Sequence, residues 1–183
     1  MVIDEKGLLA EMRAAYKKKS TGYKVAARLS TKGVEEIVLS APGWTAIISR
    51  ENVPRKILGL IVEHVGDLPS VGEAFQVQDT KAQTEIMDMA VPELGKVVAG
   101  AAVRRTNLTY NGYQIWQRKD NLNVFMLAPK LEDLLVNYNG DIQLTEDGLF
   151  FTEGVASKLY IQPLQVMQND LPVLNHLAKM QWV

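Results

Sequence analysis

The chain contains no cysteine and only two histidines among its 183 residues. Disulfides, thiol nucleophiles and cysteine-ligated zinc or iron–sulfur sites are therefore excluded. His64 and His176 fall in different predicted helices, and neither has a second ligand at metal-site spacing. His64 would lie in the last turn of its helix, where we expect it to interact with the helix dipole. We therefore predict no metal site and no cofactor.

Long apolar segments and a bias of charge are also lacking. The longest apolar stretch, residues 97–103, is much shorter than the ~20 residues that cross a bilayer. The N-terminal residues lack the basic segment and apolar core of a secretory signal. With 20 basic and 21 acidic residues, the net charge of -1 gives no overall attraction to nucleic acid or membrane. A cytoplasmic protein without membrane contact is the resulting expectation.

Familiar catalytic motifs are missing as well. Gly95 and Lys96 lack the upstream glycine and the following hydroxyl residue of a phosphate-binding loop, and no serine lies in a nucleophile elbow. The adjacent acids Glu132 and Asp133 are expected on the solvated face of a helix. We therefore name no catalytic residue. A carboxylate-based enzyme remains the least favoured alternative, because such acids meet in space rather than in sequence.

The patterns that are present indicate an α+β fold with a packed core, since 47% of the residues are apolar. Alternating apolar residues and turn signals predict antiparallel three-stranded meanders at residues 23–49 and 104–127. Each meander is followed by a helix that begins near a proline, Pro54 or Pro129, and the second helix is expected to continue to residue 138. A first helix capped by Asp4 and a C-terminal helix complete the predicted elements.

The order of elements suggests an internal duplication. Gly33 corresponds to Gly112 and Pro54 to Pro129 at similar offsets along the chain. On this hypothesis residues 1–79 form a first α+β unit, and residues 80–183 form a second unit with extra C-terminal strands and a helix. One compact domain containing both halves is the alternative.

The second meander contains the candidate binding residues. The Asn-Gly pair at residues 111–112 predicts a two-residue type I′ hairpin. In the simplest register Asn107 lies opposite Trp116, and Arg105 lies opposite Arg118. A tryptophan near paired cations is typical either of a binding surface or of a cation–π contact under another layer. Arg105, Asn107, Trp116 and Arg118 are therefore the candidate binding residues.

The third strand of this meander favours burial of Trp116. If residues 120 and 121 form the next turn, Phe125 lies opposite Trp116, and residues 124–127 are apolar on both faces. A strand without alternation is usually covered on both sides. Core or subunit contact is therefore the preferred interpretation, and a ligand surface is the alternative.

The functional hypothesis favoured by these patterns is a non-catalytic protein-binding or adaptor module. Its contact would be the Trp116 face or an exposed sheet edge, with a protein partner or a second copy in a homodimer. The first alternative is nucleic-acid binding by Arg105, Trp116 and Arg118. The second is the carboxylate-based enzyme, which a pocket lined by two converging acids would favour.

Overall fold

The computed structural model describes residues 2–18, 21–79, 81–85, 102–135, 142–145, 148–153 and 156–179. Helices and antiparallel strands both occur, with a helix near the C-terminus, which confirms the predicted α+β class. In chain order the elements are α1 (Glu5–Lys17), β1 (Tyr23–Leu29), β2 (Glu35–Ala41), β3 (Trp44–Ser49), α2 (Arg55–Val65), β4 (Ala74–Gln78), β5 (Lys81–Glu85), β6 (Val103–Tyr110), β7 (Tyr113–Arg118), β8 (Val124–Leu127), α3 (Pro129–Glu132), β9 (Ile142–Leu144), β10 (Leu149–Glu153), β11 (Ser157–Ile161) and α4 (Leu171–Leu177). Short 3₁₀ turns precede α2, at Arg50–Asn52, and α4, at Gln168–Asp170.

Eight strands form one antiparallel sheet in the order β5-β4-β1-β2-β3-β11-β10-β9. The first predicted meander, β1 to β3, lies at its centre. Strand β3 pairs with β11, so that Trp44 lies opposite Ile161 and Ile48 lies opposite Ser157. The ladder thus crosses the predicted boundary at residue 79, although the division into two units stays a prediction.

The second meander, β6 to β8, forms a separate three-stranded sheet. The first meander, which would be its equivalent in the proposed duplication, lies inside the large sheet. The helices that follow the two meanders also differ, with 11 residues in α2 and four in α3. The duplication therefore stays a prediction.

One face of the large sheet carries the main core. Strand alternation places Val25 and Ala27 on this face and Lys24 and Ala26 on the other. The core cluster combines residues of this face with apolar side chains from α1, α2 and the small sheet, including Leu8, Met12, Ile57, Ile61, Trp116 and Leu127. Both helices and the small sheet therefore pack on the same side of the large sheet.

Local capping explains where α1 begins. The Asp4 carboxylate accepts a hydrogen bond from the Gly7 backbone N–H at 2.7 Å, as the sequence predicts. The Asp4 N–H donates to the Leu134 carbonyl oxygen at 2.7 Å, and Ile3 forms an isolated bridge with Leu135. The N-terminal segment is thereby fixed to the chain after α3.

This contact also limits α3. The prediction of a helix from Pro129 to residue 138 is wrong beyond Glu132. The N–H groups of Leu134 and Leu135 donate to the carbonyl oxygens three residues earlier, in tighter turns, and the Leu134 carbonyl accepts from Asp4 instead of continuing a helix. The last predicted residues, 136–138, lie outside the described part of the chain.

Tyr16, Tyr23 and His64 join α1, β1 and α2. The rings of Tyr16 and His64 stack with centroids 3.9 Å apart, and a 2.7 Å hydrogen bond joins Tyr23 Oη to His64 Nδ1. Burial lowers the pKa of His64 and raises that of Tyr23. His64 thus lies in the last turn of α2, as the sequence predicts, but burial opposes the protonated form that the helix dipole favours.

The His64 shift predicts a loss of stability in mild acid. Below the ordinary pKa near 6.5, the unfolded chain binds a proton on His64 before the folded chain does, so the free energy of unfolding decreases until the lower folded pKa is reached. We expect His64→Gln to remove this part of the pH dependence. Urea denaturation of both proteins between about pH 5 and 8 measures it. Parallel pH profiles would contradict the assignment.

Candidate functional site

The hairpin between β6 and β7 has the predicted turn but not the predicted register. Asn111 and Gly112 have φ angles of 50° and 80°, as a type I′ turn requires. Beyond the first pairs the register shifts, so that Arg105 lies opposite Trp116 and Val103 lies opposite Arg118. The predicted opposition of Arg105 and Arg118, and of Asn107 and Trp116, is therefore wrong.

A β-bulge at residues 106–108 causes the shift. The Thr106 hydroxyl donates to the Ile115 carbonyl oxygen at 2.7 Å. The buried Gln114 side chain donates to the carbonyl oxygens of Thr106 at 2.7 Å and Leu108 at 3.0 Å. These bonds satisfy backbone groups that the extra residues remove from the ladder. The polar residue Gln114, at an inward-facing position of β7, was the signal in the sequence for this bulge.

Trp116 lies in the core. The predicted pairing of Trp116 with Phe125 is confirmed. Only 4% of Trp116 is exposed, and its ring meets Phe151 edge-on with centroids 6.3 Å apart. The indole N–H donates to Glu132 Oε1 at 2.7 Å. The structure therefore agrees with the preferred interpretation of Trp116 as a buried residue.

The other candidate residues lie at the surface. The Arg105 side chain is 57% exposed and pairs with Glu132, with Nε 3.3 Å from Oε1. Arg118 pairs with Asp120, which raises the pKa of the guanidinium and lowers that of the carboxyl group. Asn107 is exposed at the bulge. The structure thus brings Arg105 and Trp116 together on one carboxylate and leaves Arg118 and Asn107 apart from them.

The shared carboxylate of Glu132 opens onto a groove between α1 and α3, which we call the α1–α3 groove. It has a volume of about 570 Å³, within the range of ligand-binding sites. Small residues, acids, two lysines and one leucine line it: Gly7, Ala10, Ala14, Asp4, Glu11, Glu132, Asp133, Lys6, Lys130 and Leu135.

Gly7 allows α1 to approach the chain after α3. A Cβ atom on Gly7 would lie 1.9 Å from the Asp133 carbonyl oxygen, far inside van der Waals contact. Any larger residue would therefore require the backbone to move. Gly7 fixes the width of the α1–α3 groove at this end.

The four acids of the groove differ in their partners. Asp4 caps α1, and Glu132 binds Trp116 and Arg105. Glu11 is half-buried and has no hydrogen bond or ion pair to any residue that the structure describes. Burial raises the pKa of Glu11, the nearby lysines Lys130 and Lys18 oppose this shift, and Asp133 adds to it. Glu11 is thus a partly desolvated carboxyl group on which Lys130 and Lys18 act without forming an ion pair in the described part of the chain.

Sequence reasoning missed Glu11 and Gly7 and treated Glu132 as solvated. That expectation holds for the exposed Asp133 but is wrong for Glu132, which is half-buried and holds Trp116. A glycine inside an amphipathic helix was the available signal for close packing. Nothing local distinguishes Glu11 from other helix-surface acids.

No group of histidine or acidic side chains among the described residues could hold a metal ion. None of the helices in the described part of the chain is long and apolar enough to cross a bilayer. Compared with known proteins, the chain matches no family model, no curated protein and no solved structure.

Proposed function

We propose that this protein is a non-catalytic protein-binding module that accepts a basic segment of a partner protein in the α1–α3 groove. The observation that carries the proposal is the half-buried carboxyl group of Glu11, which has no hydrogen bond or ion pair to any described residue. A lysine or arginine of the partner would restore to Glu11 the interactions that burial removes. The carboxylate would then be favoured in its charged form.

The shape of the groove supports a peptide as the occupant. Ala10 and Ala14 lie along the same side of α1 as Gly7, and their short side chains leave space for the backbone of another chain beyond the point where Gly7 meets Asp133. The lining contains four acids and two lysines, so a cationic segment is favoured over an anionic one. Asp133 at the opposite wall supplies a second exposed carboxylate.

The proposed contact at the α1–α3 groove differs from the Trp116 face that the sequence suggested. Trp116 is buried and serves with Arg105 to hold Glu132 at the groove wall. Nucleic-acid binding by Arg105, Trp116 and Arg118 would need an exposed ring for stacking. We therefore place the contact at the α1–α3 groove and leave nucleic-acid binding as the weaker hypothesis.

A labelled oligolysine peptide tests the proposal by fluorescence anisotropy at low ionic strength. We expect saturable binding, and an affinity about tenfold lower for Glu11→Gln, because hydrogen bonds to charged groups contribute about 1.5–3 kcal/mol. Binding to wild-type protein should also weaken as the pH falls through the raised pKa of Glu11, since protonation removes the charge. Oligoglutamate of equal length should not bind.

Glu51→Gln is the matched control, because Glu51 is an exposed acid outside the groove. It removes the same charge and should leave the affinity for oligolysine unchanged. Equal losses in the two variants would indicate attraction to the overall charge and would refute the groove, as would an unchanged affinity in Glu11→Gln.

A carboxylate-based enzyme is the second candidate, favoured by the raised pKa of Glu11 beside Asp133. A protonated Glu11 could act as a general acid, with Asp133 as the second carboxyl group of the site. The variant Asp133→Asn distinguishes the two candidates. It would abolish turnover of a small substrate if the protein is an enzyme, and it would only weaken peptide binding if the protein is a binding module.

Three further expectations accompany the proposal. A basic segment of a second copy could occupy the groove, and oligolysine would then compete with self-association in analytical ultracentrifugation. The cytoplasmic location and the internal duplication remain hypotheses from the sequence alone.

A further inference from the structure

A second cavity of about 430 Å³ lies at one end of the large sheet, and we call it the sheet-end cavity. Part of its lining, including Lys24 and Ser40, lies on the sheet face away from α1 and α2. Its described lining contains one lysine and no acid: Thr21, Gly22, Tyr23, Lys24, Ser40, Ala41, Pro42, Gly43, Trp44, Thr45, Gln76, Tyr160 and Gln162.

The strand register builds the polar part of this lining as one continuous row. Lys24 lies directly opposite Gln76 on one side and Ser40 on the other. Ser40 lies opposite Thr45, and Thr45 lies opposite Tyr160. Directly paired residues on adjacent strands point to the same face about 5 Å apart. Five strands thus present neighbouring polar side chains to the same cavity.

Lys24 differs from the other cations on this face. Arg28 and Lys158 both pair with the buried Glu36, at 3.1 Å and 3.6 Å. Lys24 has no ion pair with any residue in the described part of the chain. Lys24 is partly exposed, so its charge is available to an anion in the cavity.

Hydroxyl groups complete the site. Ser40 Oγ and Thr45 Oγ1 are 3.0 Å apart and hydrogen-bonded to each other. The buried Thr21 hydroxyl has no hydrogen-bond partner among the described residues. Gln76 Nε2 donates to the Thr21 carbonyl oxygen at 2.7 Å, which fixes the amide at the cavity wall. The Thr21 hydroxyl is closed off from the cavity, so the polar contacts of a ligand are left to Lys24, Ser40 and Gln76.

We propose that the sheet-end cavity binds a small organic monocarboxylate, with Lys24 as its charge partner. One lysine matches one negative charge. A phosphate monoester carries a charge of about −1.5 to −2 at neutral pH, more than one lysine balances, and the described lining has no arginine and no helix N-terminus to supply the rest. Ala41 and Pro42 supply an apolar wall for the organic part of the ligand.

Benzoate, its neutral isostere benzamide, and phenyl phosphate test this assignment by NMR titration of ¹⁵N-labelled protein. We expect benzoate to bind about tenfold more tightly than benzamide, with saturable amide shifts at residues 21–24, 40–45 and 160–162. Phenyl phosphate should bind more weakly than benzoate. Equal binding of benzoate and benzamide, tighter binding of phenyl phosphate, or shifts confined to other regions would overturn the proposal.

Three substitutions test whether Lys24 is the charge partner of the bound carboxylate. Lys24→Gln should abolish the preference for benzoate, whereas Lys24→Arg should retain it. Lys32→Gln removes the same charge from an exposed turn outside the cavity and should retain the preference in full. Loss of the preference in Lys32→Gln, or its survival in Lys24→Gln, would refute the role of Lys24. Amide dispersion in the same spectra shows whether each variant is folded.

Discussion

Replacement of Trp116 by alanine is expected to lower the free energy of unfolding by about 3–5 kcal/mol, the usual cost for a large buried aromatic. The indole packs edge-on against Phe151 and is only 4% exposed. Truncation leaves a cavity, and Glu132 loses its 2.7 Å hydrogen bond from the indole N–H. The loss is large compared with the stability of ordinary domains, about 5–15 kcal/mol.

Urea denaturation measures this loss, with Tyr113→Ala as the control on the same strand. Tyr113 is 37% exposed beside the hairpin turn, so its truncation should cost less than about 1 kcal/mol. A fully stable Trp116→Ala protein with a changed mass in analytical ultracentrifugation would instead show that Trp116 forms an intermolecular contact. That result would indicate that the binding surface lies on the small sheet and not in the α1–α3 groove.

Gly7→Ala is expected to destabilise the protein by about 1–3 kcal/mol, although alanine is the better helix former by about 1 kcal/mol. The new methyl group would lie 1.9 Å from the Asp133 carbonyl oxygen. This atom belongs to the backbone, and the neighbouring Leu134 carbonyl is held by the Asp4 N–H. Relief of the clash requires α1 and the chain after α3 to separate, so the steric effect should exceed the gain in propensity.

Gly59→Ala provides a matched control inside α2. No atom lies within 4 Å of the position that its Cβ would occupy, so only the propensity gain should remain. We expect a stabilisation of about 0.5–1 kcal/mol, opposite in sign to Gly7→Ala. Thermal or urea unfolding of the two variants measures both effects. Stabilisation by both substitutions would mean that α1 does not contact the Asp133 backbone closely.

Features set by short segments could be predicted from the sequence. Asn111 and Gly112 tolerate the positive φ angles of their turn, and Asp4 can cap a helix wherever that helix packs. The opposition of Trp116 and Phe125 required only one further tight turn. The α+β class followed from the change between strand and helix periodicity along the chain.

Features that depend on distant contacts could not be predicted. The pairing of β3 with β11 joins segments more than a hundred residues apart, and nothing in either strand specifies the other. The shifted hairpin register depends on Gln114 reaching bulged carbonyl groups. Glu11 becomes distinctive only because α1 packs beside residues 130–135 and removes water from its carboxyl group.

NMR mapping of oligolysine binding to ¹⁵N-labelled protein tests the central claim most directly, because it locates the contact without a substitution. The α1–α3 groove predicts saturable amide shifts in residues 4–14 of α1 and residues 130–135 of the facing wall. The hairpin at residues 105–118 and the sheet-end cavity should be unaffected, apart from Arg105 and Trp116 beside Glu132. Shifts centred on another surface, or no saturable shifts at low ionic strength, would contradict the account.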